Sequence, residues 1–242
     1  MHALSASELL DVWERGQLLG PVGRGLELAV AACPPASEPE TLSVGRRDAL
    51  LCELREYTFG PVVEAVSDCP DCGEKIELNF RLSDLGSVAT PASIEDQDFV
   101  SGNYILRLRA PDSRDLARAA AVPDPQEAWR LLFEGCVLVA RRTECEIAPA
   151  ELPPDVVAAA IARIAEADPR AEVLLAVTCP RCQVQSRVLF DIVAFFWREI
   201  EMFASRLLRE VHVLASAYGW QESHILAMSA VRRRRYLDMV GA

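Results

Sequence analysis

The sequence predicts an α+β protein organised around a split zinc ribbon, with an inserted mixed segment and a long C-terminal helix. Three observations support this class. Two Cys-Pro-x-Cys motifs, Cys69–Cys72 and Cys179–Cys182, stand far apart in the chain. Alternating apolar and polar residues flank each motif, as expected for strands. An apolar seam at helical spacing runs from Val193 to Tyr218, which predicts one long helix.

Residues 1–60 read as an N-terminal helical region with three helices. The first carries Leu9–Leu10 and Val12–Trp13 on an amphipathic face, and the third repeats apolar residues until its end. Caps and breakers mark the helix ends. These residues are Ser5 or Ser7, Gly16, Pro21, Ser43 and Gly60.

Residues 61–85 and 171–191 are each predicted to form a knuckle hairpin. After the first motif, Ile76, Leu78 and Phe80 alternate with polar residues. Superposing the two motifs in register also places Leu78 over Val188 and Phe80 over Phe190. The two segments are therefore interpreted as halves of one unit.

Residues 86–170 form the predicted insertion, in which short strands and helices mix. Residues 86–102 lack any period and are expected to be a loop. The predicted elements are a strand at 104–109, helices at 112–121 and 124–133, a strand at 136–140 and a helix at 156–166.

Residues 192–242 are predicted to be a C-terminal helical region. The long helix should end at Gly219, and one short helix is expected from Glu222 onward. The run Arg232–Arg235 lies in that last helix. Four consecutive helical residues point in all directions, so a solvated or protein-facing role is favoured over a nucleic-acid patch.

Cys69, Cys72, Cys179 and Cys182 are the predicted metal ligands, and the predicted cofactor is a structural zinc ion. Each Cys-x-x-Cys turn supplies two sulfurs, and four thiolates complete a tetrahedron with no open position. The alternatives are four unrelated surface cysteines or a redox pair. A redox Cys-x-x-Cys opens a helix after a strand, whereas strands are predicted on both sides here.

Composition narrows the class of function. The net charge of −11 disfavours broad nucleic-acid binding, which needs a basic footprint. The three histidines, His2, His212 and His224, stand in no recognisable catalytic arrangement, and no phosphate-binding glycine loop or His-Glu-x-x-His motif is found. The chain is therefore predicted not to be an enzyme.

The cellular setting follows from the termini and the cysteines. The first twenty residues mix acids into the apolar positions, unlike a secretory signal. No uncharged stretch approaches the length that a bilayer requires, so a cytoplasmic protein is expected. The remaining cysteines are predicted to be plain buried or half-buried thiols; they are Cys33, Cys52, Cys136 and Cys145.

Several phrases together resemble the T4-type baseplate hub assembly chaperone family of phage-tail-like contractile injection systems. In order, they are Leu54–Gly60, Cys69–Gly73, Ala167–Ala171, Cys179–Cys182, Phe190–Asp191 and Leu207–Leu237. The resemblance implies a non-enzymatic chaperone whose partners are baseplate, hub or spike proteins. A structural baseplate or tail subunit and a zinc-ribbon nucleic-acid-binding regulator remain the alternatives.

Overall fold

A computed structural model describes residues 1–34, 37–85 and 94–241, and in that part the chain is a mixed α+β protein with small sheets. The helices are α1 (Ala6–Gly16), α2 (Pro21–Ala32), α3 (Val44–Phe59), α4 (Ser113–Ala120), α5 (Pro125–Cys136), α6 (Pro154–Ala167), α7 (Ile192–Tyr218), α8 (Glu222–Leu226) and α9 (Ala230–Val240). The strands are β1 (Val62–Asp68), β2 (Lys75–Arg81), β3 (Asp98–Ser101), β4 (Tyr104–Leu108), β5 (Val137–Arg142), β6 (Cys145–Glu146), β7 (Leu174–Thr178) and β8 (Gln185–Leu189).

Helices α1, α2 and α3 pack around the first half of α7. The Ser5 hydroxyl accepts a hydrogen bond from the Glu8 backbone N–H, and the Glu8 carboxylate accepts one from the Ser5 backbone N–H. This capping box starts α1, as predicted. Leu28, Leu54 and Phe196 are fully buried in the shared core. Burial of each such side chain contributes about 1.5–3 kcal/mol to the free energy of folding. Because Phe196 belongs to α7, that helix is an integral part of the N-terminal core.

The insertion forms a four-stranded antiparallel sheet in the order β3-β4-β5-β6. Helices α5 and α6 pack against it through a core that includes Leu106, Phe133 and Ala160. The expected loop over 86–102 is wrong at its end, because Asp98–Ser101 pairs with β4. Residues 86–93 of that expected loop lie outside the described residues. In this strand Phe99 and Val100 are adjacent and do not alternate with polar residues, which is why the sequence pattern missed it.

The insertion docks on the start of α3 through buried polar contacts. The Gly45 N–H donates to the Asp168 carboxylate at 2.8 Å, and Arg47 donates to Ser113 Oγ at 3.1 Å. A Cβ atom at position 45 would collide with that carboxylate. Glycine is therefore required where α3 meets the end of α6.

The C-terminal region begins with the 27-residue helix α7, capped by Asp191 and ended by Gly219 with φ +68°. The single short helix expected after Glu222 is wrong, because the chain makes two helices, α8 and α9. Ser229 caps α9 by accepting from the Arg232 N–H, and Ile225 and Leu237 share a core with α7. Within the described residues, no helix combines the length and apolar character needed to cross a bilayer.

Candidate metal centre

Both cysteine motifs lie in the turns of antiparallel hairpins. In the first turn, the Cys69 N–H donates to the Glu74 carbonyl, and the Gly73 N–H donates to the Cys69 carbonyl. The second turn repeats both bonds, between Cys179 and Val184 and between Gln183 and Cys179. The two turns therefore have the same backbone hydrogen bonds, as the alignment of the two motifs predicted.

The residue after the second cysteine of each motif has left-handed backbone. Gly73 has φ +70° and Gln183 has φ +61°. Glycine adopts this conformation without steric cost, whereas an L-residue with a side chain is strained there. The second turn keeps the same geometry despite the side chain, and Gln183 Nε2 donates to the Pro180 carbonyl at 3.1 Å.

The four predicted ligands meet in one cluster. The Sγ atoms of Cys69 and Cys182 are 3.6 Å apart, as are those of Cys72 and Cys179, and all four sulfurs lie within 4.8 Å of one another. A tetrahedron of zinc–sulfur bonds separates its sulfurs by about 3.8 Å. The donor set and its spacing fit a single tetrahedral ion that would be held by both hairpins.

Apolar side chains surround the sulfurs. Ile76 and Val177 are buried beside Cys69 and Cys179, with Leu78, Leu175 and Val188 partly buried around them. At the opposite end of the hairpins, Phe80 packs edge-on against Phe190 at 5.2 Å, and Phe190 contacts Phe195 of α7 at 5.7 Å. The paired hairpins are thus joined to the helical core.

The thiols of Cys72, Cys179 and Cys182 influence one another. The backbone N–H of Cys182 is the main cause that lowers the pKa of the Cys179 thiol to about 7. Backbone hydrogen bonds also act to lower the pKa of Cys72 and Cys182, but burial and hydrogen bonds from neighbouring sulfurs outweigh them and raise both, that of Cys182 to about 12. A metal binds the deprotonated sulfur, so ion binding must displace protons from this cluster. Across the two turns, Arg181 and Glu74 also form an exposed ion pair at 3.6 Å.

The other cysteines behave differently from the cluster. Burial raises the pKa of Cys52 to about 11 and that of Cys136 to about 12, so both remain protonated core thiols, as predicted. Cys33 is half-buried, as expected. The expectation for Cys145 is wrong, because this residue lies exposed in the two-residue strand β6 at the edge of the sheet.

The four-arginine run does not form one cationic surface. Arg233 is 3% exposed and donates to Glu210 at 2.9 Å and to the Met228 carbonyl at 2.7 Å. Arg234 pairs with Asp238 at 3.0 Å on the same helix. This division agrees with the prediction of a solvated or protein-facing role for the run over a nucleic-acid patch.

The structure also shows a groove that the sequence interpretation missed. It lies between α5, α6 and the turn at Pro149–Glu151, and its volume is about 810 Å³. Trp129 is 51% exposed there and stacks on Phe133 at 5.6 Å. The four-residue spacing of Trp129 and Phe133, and of Val157 and Ile161, was a signal for two apolar stripes, but it did not show that both stripes face one open space.

Comparison with known proteins gives one finding. Neither the search of curated proteins nor the search of solved structures found a match. Residues 26–138 match the family described as T4 bacteriophage base plate protein. This segment contains Cys69 and Cys72 but ends before Cys179, so the cysteine cluster joins the matched part of the chain to a later part. The match supports a protein related to phage baseplates.

Proposed function

We propose that this chain is a non-enzymatic, protein-binding assembly factor, a chaperone, for the baseplate or hub of a phage-tail-like contractile injection system. We further propose that it acts in the cytoplasm and that its four-cysteine cluster holds one structural zinc ion. The match of residues 26–138 to a base plate protein supports the link to a baseplate, and the resemblance of the sequence to hub assembly chaperones favours the chaperone role. The convergence of four sulfurs within 4.8 Å carries the second.

The role of the ion follows from the donor set. With four thiolates around a tetrahedral ion, no position remains for a water molecule, whereas a catalytic zinc keeps one open. The ion would therefore link the two hairpins rather than activate a substrate. Elemental analysis of protein purified without added metal should give one zinc per chain. A metal-free preparation that is fully folded would contradict the site.

Partner binding is tested in the native gene cluster. An affinity-tagged chain is expected to co-purify with baseplate, hub or spike proteins, and a tagged unrelated cytoplasmic protein of similar acidity is the control. Deleting the chain should leave particles without a complete baseplate. Normal particles from the deletion strain would exclude an assembly role.

A structural subunit is the second candidate, because the matching family is described as a base plate protein. The two roles differ in where the protein is found after assembly. Mass spectrometry of purified particles should detect a subunit at a fixed ratio to other baseplate proteins. A chaperone should be present in lysates during assembly and absent from finished particles.

A nucleic-acid-binding regulator has less support. Burial of Arg233 and the pairing of Arg234 leave a divided cationic surface on an acidic chain. Any DNA affinity should fall steeply with salt if phosphates are contacted. Tight, salt-sensitive binding to DNA at low ionic strength would favour this alternative over the chaperone.

A further inference from the structure

The end of α7 carries a compact group of aromatic side chains. Gly219 has a left-handed backbone with φ +68° and ends the helix, and beyond it Trp220 stacks on Tyr218 with ring centroids 4.4 Å apart. Tyr236 of α9 meets both rings edge-on, 5.7 Å from Tyr218 and 4.8 Å from Trp220. Tyr218 is 36% exposed and the other two rings are half-buried. The three rings therefore hold one another in place while part of their surface stays open to solvent.

Two arginines beside these rings have no ion-pair partner among the described residues. The middle two arginines of the run in α9 are engaged by carboxylates. The outer two, Arg232 and Arg235, are exposed and form no ion pair in the described part of the chain. The Arg232 guanidinium lies over the Tyr236 ring, 5.8 Å from its centroid. Positive charge is thus held next to the aromatic group and is available to a ligand.

These groups share one flank of α9. Arg232, Arg235, Tyr236 and Met239 follow one another at spacings of three or four residues, which makes them neighbours on the helix surface. Met239 is 73% exposed. We call this flank and the rings beside it the C-terminal surface, and its residues are Tyr218, Trp220, Arg232, Arg235, Tyr236 and Met239. Tyrosine, tryptophan, arginine and methionine are the residue types enriched at protein interfaces.

The charge of this region is opposite to that of the chain as a whole. Residues 206–238 contain six arginines against three carboxylates, a net charge of +3, whereas the whole chain carries −11. Complementary charge selects partners and speeds their encounter, and like charges across an interface are costly. The C-terminal surface is therefore suited to an acidic ligand.

Two features favour a protein over a nucleic acid as that ligand. The surface offers the two unpaired guanidinium groups of Arg232 and Arg235, whereas binding to a phosphate backbone depends on a wider basic footprint. The three rings also pack on one another. They do not present separate faces on which successive bases could stack.

We propose that the C-terminal surface binds an acidic segment of a partner protein, whose carboxylates pair with Arg232 and Arg235 and whose apolar side chains contact the rings and Met239. Residues three apart on a helix have Cβ atoms about 5–6 Å apart. Alternate residues of an extended chain are about 6.7 Å apart, so such a segment can present one carboxylate to each arginine. This inference rests on the protein-binding role proposed above and gives the chemistry of the partner.

The experiment measures binding of the full chain to a labelled peptide by fluorescence anisotropy. The peptide has four Glu-Glu-Leu repeats, which place both acids and leucines on each face of an extended chain. The wild type is expected to bind it, and binding should weaken as salt rises from about 100 to 500 mM, because the charges are exposed. Arg232→Glu combined with Arg235→Glu should weaken binding at least about tenfold.

Matched controls separate this surface from the charge of the whole chain. A peptide of Gln-Gln-Leu repeats should not bind. Arg187→Glu combined with Arg198→Glu changes the net charge by the same amount at two other exposed arginines. Arg198 lies twenty residues before Tyr218 on α7, or about 30 Å along the helix, so this variant should bind like the wild type. Circular dichroism verifies that both variants are folded.

Several results would overturn the proposal. They are no binding by the wild type, unchanged binding by the Arg232→Glu/Arg235→Glu chain, and an equal loss in the control variant. Tighter binding of an oligothymidylate of the same charge, or of vesicles that contain phosphatidylserine, would overturn it in favour of a nucleic acid or a membrane. The assay contains no baseplate protein, so its failure is distinct from a failure of the chain to co-purify with baseplate, hub or spike proteins.

Discussion

Gln183 occupies a backbone conformation that its counterpart Gly73 adopts without strain. The φ values, +61° and +70°, are nearly equal, so the turn around the sulfurs fixes this geometry in both hairpins. No atom lies within 4 Å of a Cβ built on Gly73. A side chain at position 73 would therefore be destabilised by the left-handed backbone conformation and not by a steric clash.

Substitutions at these two positions are expected to have unequal effects on stability. Gly73→Ala should lower the free energy of unfolding by about 1 kcal/mol, because alanine is strained in left-handed backbone. Gln183→Gly should change it by less than about 0.5 kcal/mol, since relief of strain offsets the greater freedom of glycine in the unfolded chain. Urea unfolding at fixed metal content measures both. Equal losses from the two substitutions would contradict this account.

Asp48 is one of the acids whose ionisation the fold opposes. Burial raises the pKa of its carboxyl from 3.8 to about 6 despite the opposing effect of the adjacent Arg47, and the neighbouring charges of Asp191 and Asp168 add to the rise. The folded protein therefore binds this proton more tightly than the unfolded chain. The contribution of protonated Asp48 to the free energy of unfolding is therefore complete below about pH 4 and is lost as the pH rises through about 6.

Asp48→Asn should consequently flatten the pH dependence of unfolding between pH 4 and 6. Ionisation of Asp48 should lower the free energy of unfolding of the wild type by at most about 3 kcal/mol across this window. The variant lacks this ionisation, so its free energy of unfolding should not change for this reason. Asp11→Asn, at an exposed position of α1, is the matched control. An unchanged slope in the Asp48→Asn variant would refute the assignment.

At the scale of elements, one buried arginine joins α3, β1 and α7. Arg55 donates twice to the Glu199 carboxylate, at 2.9 and 2.6 Å, and to the carbonyls of Gly60 and Val62. The Arg55 side chain is 4% exposed. The guanidinium thus provides hydrogen bonds to the carbonyl at the end of α3, to a carbonyl at the start of β1 and to the Glu199 carboxylate of α7.

Arg55→Met should cost about 3 kcal/mol of unfolding free energy, because it leaves a carboxylate that is only 20% exposed and two carbonyls without this donor. Arg15→Met is the comparison, since the Arg15–Glu27 pair is about half exposed on the arginine side and should be worth at most about 1 kcal/mol. Thermal and urea unfolding report both changes. Similar losses from the two variants would show that the Arg55 contacts carry little stability.

The elements differed in how well the sequence predicted them. Ser5, Ser43 and Asp112 cap helices where the pattern placed them, because a cap is a local interaction. The break between α8 and α9 was missed because Ser229 caps α9 without any glycine or proline nearby. The burial of Arg55 was also invisible, since it depends on Glu199, far away in the chain.

At the scale of the molecule, the four-cysteine cluster was the part of the site that the sequence could predict. The motif spacing and the strand pattern around it repeat, so two similar turns were expected to meet. The α5–α6 groove could not be predicted, because its shape depends on the packing of two helices and a turn. Ligand geometry is encoded locally, whereas an open surface depends on what the rest of the fold leaves uncovered.

Removing the proposed ion should affect the whole molecule. The sulfurs of Cys69 and Cys182 are separated by 113 residues in the chain, so an ion that binds both closes a long loop. Chelation, or Cys69→Ser combined with Cys179→Ser, should lower Tm by about 10 °C or more. Cys145→Ser should leave Tm unchanged because Cys145 is exposed and lies outside the cluster. An unaltered Tm after metal removal would refute a structural ion.

Helix α7 supplies Phe196 and Ile200, both fully buried, to a core whose other walls are α1, α2 and α3. On the ribosome, the first sixty residues leave the exit tunnel long before this helix is made. The apolar faces of α1, α2 and α3 therefore remain partly exposed until nearly the whole chain has been synthesised. Folding of the first sixty residues is thus expected to be a late, largely post-translational event.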